Sequence, residues 1–353
     1  MRFAVAAVVI LLLAGCGAAT EPPQPESPAG LPRATAITVP SGFRAEIYAR
    51  GLTHPTAMAF GPDGRLYVSQ DVGTIVRVNP GTRRPGVMVR NLPTPLGLAW
   101  IGQRLYIAAQ GRVVRRTLAH GALGSPRVLV SGLPFGRHQQ NNIAVGPDGR
   151  LYFGSGSTCD ACTEANRRSA TVLRMRPDGS GLRVYARGLR NAYGIAFRPG
   201  TSRLFASVNG RDDLTDPNEP AEMLVRVLDG ARYGWPACWP SWRDKRMKGS
   251  CSGVTRPVAY LETHSSADGI AFATGDAYPA TWKAGVFVAL WGRYPASSRG
   301  KRVDFVSLPS GRVRRFARGF AHPLAIAFDA QGAMLVADWQ RGVIYRIQRR
   351  GEP

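Results

Sequence analysis

The chain has 353 residues and carries 46 Lys and Arg against 23 Asp and Glu, a formal charge of +23. A field of that sign favours anionic partners such as nucleic acid or lipid headgroups. The arginines, however, are scattered singly and the only lysines are Lys245, Lys248, Lys283 and Lys301, so the charge reads as a compositional preference for Arg, with attachment to an acidic envelope as the second reading. No Pro-rich or charge-rich linker divides the chain after its first three dozen residues, which argues for one large domain and against several.

The N-terminus sets the compartment. Arg2 is followed by an unbroken apolar run from Phe3 to Ala14 and then by Gly15 and Cys16. The run is shorter than the roughly 20 residues a membrane-spanning helix needs, and it ends in small residues as a cleaved signal does. The order Leu13-Ala14-Gly15-Cys16 matches a bacterial lipobox, which makes residues 1–15 a lipoprotein signal peptide and Cys16 the lipidated mature N-terminus. Residues 16–36 are mainly Pro, Glu, Ala and Ser with scarcely a large apolar side chain, so they cannot bury enough surface to order themselves and read as a tether. The expected product is exported and held to the bacterial membrane through the lipid alone, facing the periplasm or the cell exterior. Nucleic acid is not an expected partner there.

Across residues 37–350 one phrase recurs six times: a small residue, an apolar pair, an aromatic residue or Val, a turn, and a second apolar strand. The copies are TAMAFGPDGRLYVSQ (56–70), LGLAWIGQRLYIAAQ (96–110), NIAVGPDGRLYFGSG (142–156), YGIAFRPGTSRLFASVNG (193–210), DGIAFATGDAYPATWKAGVFVALWG (268–292) and LAIAFDAQGAMLVADWQ (324–340). Each predicts a hairpin, with Pro-Asp-Gly, Gly-Gln or Gln-Gly among the turns. Further strands follow at TIVRVNP (74–80), TVLRMRP (171–177) and GVIYRI (342–347). The anchors Phe60, Trp100, Val145, Phe197, Phe272 and Phe328 are 40, 45, 52, 75 and 56 residues apart, which suits four-stranded blades with a large insertion before the fifth copy. The predicted fold is all-β, a six-bladed β-propeller, its ring closed by the strand AEIYAR (45–50) joining the last blade.

Besides Cys16 the cysteines are Cys159, Cys162, Cys238 and Cys251, an even number in an oxidising compartment, so two disulfides are expected. Local pairing, Cys159 with Cys162 and Cys238 with Cys251, is favoured over the crossed pairings because each pair sits inside one loop region. A four-thiolate zinc site is the alternative, disfavoured because Cys238 and Cys251 stand thirteen positions apart and form no short knuckle.

In a propeller the loops ahead of the inner strands open on one face, so residues there converge on the channel mouth. Counting seven positions back from the anchors gives Thr53, Pro93, His138, Arg190, Ser265 and Ala321, with Gln139 and Asn191 directly after two of them. His54 and His322 both precede Pro at one repeat position and read as architectural. His138 breaks that pattern, standing in the polar run Arg137-His138-Gln139-Gln140-Asn141-Asn142 that leads into an inner strand. Imidazole is the side chain best matched to taking a proton near neutral pH. Arg190, at the same place in the next blade, can stabilise negative charge on a carbonyl oxygen being reduced. Asn209-Gly210, in that blade's second loop, offers an amide oxygen and a backbone carbonyl, hard ligands suited to Ca²⁺.

The segments HQQNNIAVGPDGRLYFGSGSTCDAC (138–162), YARGLRNAYGIAF (185–197), SVNGRDDL (207–214), ARYGWPACW (231–239) and DGIAFATGDAYPATWKAGVFVAL (268–290) together resemble the quinoprotein glucose/sorbosone dehydrogenases, over about residues 40–348. The Cys-x-x-Cys and the Cys after Tyr-Gly-Trp-Pro look like the sorbosone branch. The resemblance implies pyrroloquinoline quinone (PQQ) on the channel mouth, bridged to Ca²⁺, with a sugar, sugar aldehyde or polyol as substrate and an unidentified electron acceptor. It implies His138 as the base that removes the hydroxyl proton while hydride passes to the quinone, and Arg190 as the group polarising the accepting carbonyl, supported by Asn191. Gln139 would lie beside the cofactor. Asn209 and Gly210 would reach both cofactor and calcium, with Arg211 next in the calcium loop, and Arg293, Lys301 and Arg341 would meet the cofactor's carboxylates.

Three departures from the glucose enzymes bear on the substrate, the base and the calcium site: Arg137 replaces an acid before the base, Ser157 replaces a carboxylate near it, and Arg211 replaces a Pro after the calcium-binding Gly. Glucose is accordingly expected to be a poorer substrate than aldosuloses, sugar aldehydes or acidic sugars. Two other readings compete, a non-catalytic ligand-binding propeller of the cell envelope and a metal-dependent lactonase. The lactonase needs Glu, Asp and Asn around a divalent metal, where this predicted mouth is rich in His, Arg, Gln and Asn.

Overall fold

A computed structural model describes residues 30–292 and 299–350. The expected signal peptide, Cys16, most of the expected tether and Arg293 lie outside the described residues. Six antiparallel sheets make the propeller, each a blade of four strands, and the second blade carries a short fifth strand, Ala122–Leu123. The third blade is Gln140–Val145, Leu151–Ser155, Thr171–Met175 and Arg183–Arg187; the fourth is Asn191–Phe197, Leu204–Asn209, Glu222–Val227 and Ala259–Leu261. The sixth consists of Pro323–Phe328, Met334–Asp338 and Val343–Arg349, and its outer strand is Phe43–Ala49 from the other end of the chain. The ring is therefore closed by the N-terminal strand. That strand begins two residues before the expected AEIYAR because Phe43 is buried, its ring 5.1 Å from Tyr278 and 5.4 Å from Phe316.

The small residue in each repeat has a steric reason in the two best-defined cases. A Cβ on Gly194 would collide with the Asp268 carbonyl, and one on Gly269 with the Leu324 carbonyl, because inner strands of adjacent blades approach backbone to backbone. Apolar residues from facing sheets fill the gaps between blades. Between the fifth and sixth they include Phe287, Phe305, Phe316, Ile326 and Tyr345.

The insertion before the fifth copy falls between the third and fourth strands of the fourth blade. It folds as a two-stranded hairpin, Cys238–Pro240 with Met247–Gly249, and the Cys238–Cys251 disulfide ties it. Cys159 pairs with Cys162, so both bridges take the local pairing. The fifth copy departs from a plain hairpin: one helical turn, Ala280–Lys283, separates Ala267–Ala271 from Gly285–Leu290. Trp282 in that turn packs 4.9 Å from Phe305 and 5.0 Å from Phe316, so the longer connection is held by its own apolar anchor. No helix among the described residues is long and apolar enough to cross a membrane.

Candidate active site

His138 and Arg190 precede the inner strands of the third and fourth blades, and both line one cavity of about 350 Å³. Arg137, Asn209, Gly210, Asp212, Glu222, His264, Ser266 and Gly292 complete its wall. The His138 backbone N–H donates to the Ser157 carbonyl at 3.0 Å, and its Nδ1 lies 2.9 Å from Ser157 Oγ. Burial, reinforced by the Arg190 and Arg137 cations, pushes the imidazole pKa down to about 3, with Asp212 pulling the other way. The ring is thus neutral at ordinary pH, which leaves one ring nitrogen without a proton. Its seat demands a glycine opposite, because a Cβ on Gly156 would collide with His138 Cβ and come within 2.8 Å of Asn191 Oδ1.

Arg190 is only 3% exposed. Its Nε donates to the Asp160 carbonyl at 3.0 Å, and its Nη2 donates to Asp160 Oδ1 at 2.5 Å and Asp212 Oδ2 at 2.9 Å. Arg137 Nη2 reaches the same Asp212 oxygen at 2.7 Å. Burial alone would raise the Asp212 pKa, but His264, Arg190 and Arg137 around it hold the carboxyl well below the usual carboxylate range. The base therefore sits beside two cations whose charge is answered by two aspartates.

A chain of amides ties three blades at this mouth. Asn141 Nδ2 donates to Asn191 Oδ1 at 2.7 Å, Asn191 Nδ2 to Asn209 Oδ1 at 2.7 Å, and Asn209 Nδ2 to the Ala267 carbonyl at 2.9 Å. Beneath it, Glu222 accepts from the Gly210 N–H at 2.6 Å and the Ser266 N–H at 3.3 Å. Burial pushes the Glu222 pKa up to about 7, although the Gly210 hydrogen bond and the Arg190 charge lower it. Burial raises Asp268 still more clearly; it accepts from Ser266 Oγ at 3.2 Å.

Of the residues expected at the mouth, His138, Arg190, Asn191, Asn209 and Gly210 come together. Gln139 is directed elsewhere, donating to the Thr94 carbonyl of the second blade at 2.7 Å. The Arg211 side chain pairs with Asp213, donates to the Pro236 carbonyl at 2.8 Å and lies over the Trp239 ring, so only its backbone adjoins the Gly210 loop. Lys301 packs against Gly292 on the cavity wall, where a Cβ on that glycine would lie 3.0 Å from Lys301 Cγ. Arg341 donates to the Gly319 carbonyl at 2.7 Å and is no part of the cavity wall.

Three acidic or basic groups escaped the sequence reading, Asp160, Glu222 and His264, whereas Asp212 lies in the 209–213 loop that the repeats bring to the mouth. His264 stands one position before Ser265, a residue the repeat count had already brought to the mouth, and Asp212 two after Gly210. Glu222 opens the third strand of its blade, a position at which alternation gives no sign of a buried charge.

Aldose sugar dehydrogenase YliI of Escherichia coli (strain K12) is 24% identical to the chain over 307 residues, covering 70% of this chain and 78% of that protein. The PQQ-bound form of an aldose sugar dehydrogenase from Streptomyces coelicolor superposes with a TM-score of 0.68 at 26% identity, covering 88% of this chain and 99% of that one. The calcium structure of a Trichoderma reesei enzyme of carbohydrate-active family AA12 superposes with a TM-score of 0.78, covering 91% of this chain and 98% of that one; at 16% identity it bears on the fold alone. The family model described as Glucose / Sorbosone dehydrogenase matches residues 103–293, more than half of the chain, and the chain belongs to that family.

Proposed function

We propose that the protein is a PQQ- and calcium-dependent dehydrogenase that oxidises a sugar, sugar aldehyde or polyol at a CH–OH group, with His138 as the base. One observation carries this reading: a histidine held neutral by burial and two cations shares a cavity with a nearly inaccessible arginine. The donors at the mouth fit both groups. Calcium takes hard oxygen ligands, and Asn209, Gly210, Asp212 and Glu222, which carry such oxygens, all line the cavity. Burial raises both Glu222 and Asp268, the condition a nearby divalent cation reverses. For an anionic quinone, Arg190 and Lys301 supply positive charge.

When bound, PQQ supplies a two-electron acceptor for hydride and calcium a Lewis acid beside it. The chain's own residues do the rest. His138 takes the hydroxyl proton on a ring nitrogen, and the resulting imidazolium is balanced by Asp212, which already favours the protonated ring. Arg190, immobilised by Asp160 and Asp212, presents fixed positive charge where negative charge develops. The expected preference for acidic sugars rested on Arg137 as a free cation, but Arg137 is paired with Asp212. Asp212 also restores a carboxylate acceptor for a sugar hydroxyl, its side chain 46% exposed. Neutral aldoses and sugar aldehydes are therefore the preferred substrate class. We infer that the protein is exported and anchored to the membrane through Cys16.

The test is reduction of an artificial dye by purified protein with a panel of sugars, with and without PQQ and Ca²⁺. Turnover that requires both supports the reading, whereas absence of PQQ uptake favours a binding propeller. Metal-dependent lactone hydrolysis without PQQ would favour the lactonase, which Asp212 and Glu222 on the cavity wall make a fair competitor.

A further inference from the structure

We propose that the four-residue loop closed by the Cys159–Cys162 disulfide positions both catalytic groups at once, fixing the tautomer of His138 through Ser157 and the guanidinium of Arg190 through Asp160. The proposal rests on the reading of His138 and Arg190 as the reacting pair.

Ser157 has a single hydroxyl proton. Its Oγ lies 2.7 Å from the Cys159 carbonyl oxygen, which can only accept, so that proton is committed there. His138 Nδ1 lies 2.9 Å from the same Oγ and must then donate to it. A neutral imidazole carries one ring proton, so placing it on Nδ1 leaves Nε2 bare as the proton acceptor. A carboxylate in place of Ser157 would orient the ring and also raise its pKa. The serine relay orients the ring without adding charge, which agrees with the low pKa of His138.

Asp160, the next residue, is a hub. Its carbonyl accepts from Arg190 Nε at 3.0 Å and Trp235 Nε1 at 3.1 Å. Its carboxylate accepts from Arg190 Nη2 at 2.5 Å and from the Asp212 N–H at 3.1 Å. One residue thus links the catalytic arginine, the Asp212 loop and the inserted segment of the fourth blade. Asp160 lies in a connection of fifteen residues, 156–170, between the second and third strands of its blade. A connection of that length is mobile unless it is pinned. The disulfide spans Asp160 directly, with Cα atoms 6.1 Å apart, and Glu164 adds a second pin by accepting from the Thr158 N–H at 2.6 Å.

The test uses Ser157→Ala, Asp160→Asn and the double variant Cys159→Ser/Cys162→Ser of the full chain. Its readouts are ¹⁵N NMR of the His138 ring, labelling of Arg190 by phenylglyoxal, melting temperature and turnover. In the unaltered protein His138 is expected as the Nδ1–H tautomer, with Arg190 spared while exposed arginines are labelled. Ser157→Ala should give a mixture of tautomers and lower kcat by on the order of 10-fold with little change in KM, Arg190 remaining protected. Asp160→Asn and the double serine variant should label at Arg190 on the order of 10-fold faster while still melting cooperatively. An Nε2–H tautomer in the unaltered protein overturns the proposal. So does unchanged Arg190 labelling in Asp160→Asn, which keeps the disulfide and answers the question even where the double variant does not fold. If the tautomer and labelling behave as stated but no sugar turns over, the catalytic assignment fails and the positioning stands.

Discussion

At the scale of single residues, the site works because burial and neighbouring charge set each group's protonation. His138→Ala is expected to lower turnover by about 10²- to 10⁴-fold, the usual worth of one general base, while PQQ uptake measured by absorbance survives. Arg190→Ala should reduce both uptake and turnover. With its pKa near 3, His138 stays neutral well below the value of about 6.5 for an ordinary histidine. The acid limb of kcat/KM is therefore expected below about pH 5, and a limb centred near 6.5 would contradict the depressed pKa. The same shift is a stability statement. A histidine whose folded pKa is depressed contributes fully above the unfolded value, and that contribution is lost as pH falls from about 6.5 toward 3. His138 and Arg190 were legible in the sequence because repeat counting brings both to one mouth. Asp160 was not, since its role depends on how a disulfide-closed loop folds back over the next blade, a non-local fact that spacing does not carry.

At the scale of elements, the ring depends on one seam. The closing strand Phe43–Ala49 pairs with Val343–Arg349, and Arg346 crosses that seam at 1% exposure, donating to Asp329 at 2.8 Å and lying 3.6 Å from Glu46. Replacing Arg346 with Leu leaves the buried Asp329 carboxylate without its cation, while Glu46 keeps Arg44 at 2.9 Å, a loss of about 3–5 kcal/mol. Urea unfolding of Arg346→Leu should show a midpoint well below that of the unaltered protein; an unchanged midpoint would mean the seam is held by apolar packing alone. The strands themselves were legible because each repeat alternates toward two packed faces. The helical turn Ala280–Lys283 was hidden because the apolar phrase runs through it; Trp282 docking on Phe305 and Phe316 and the buried Tyr278, which donates to the Ile347 carbonyl at 3.0 Å, hold that detour.

At the scale of the molecule, six near-equivalent sheets give a symmetric scaffold, and the candidate site lies where the symmetry fails. The third and fourth blades carry His138 and Arg190, whereas the first and sixth carry His54 and His322 at the neighbouring repeat position. There the rings stack on Trp339 and Trp291 at centroid distances of 3.9 Å, in keeping with an architectural role. The fold followed from periodicity, whereas the proposed chemistry was reached from the residues that break it, His138 above all, and from the resemblance to a known family. The most direct test of the central claim is a titration of apo-protein with PQQ in the presence and absence of Ca²⁺, followed by dye reduction with neutral aldoses and sugar aldehydes. Calcium-dependent uptake with turnover that His138→Ala lowers by about 10²- to 10⁴-fold is the expected result. Turnover indifferent to PQQ, or retained in His138→Ala, would contradict the account.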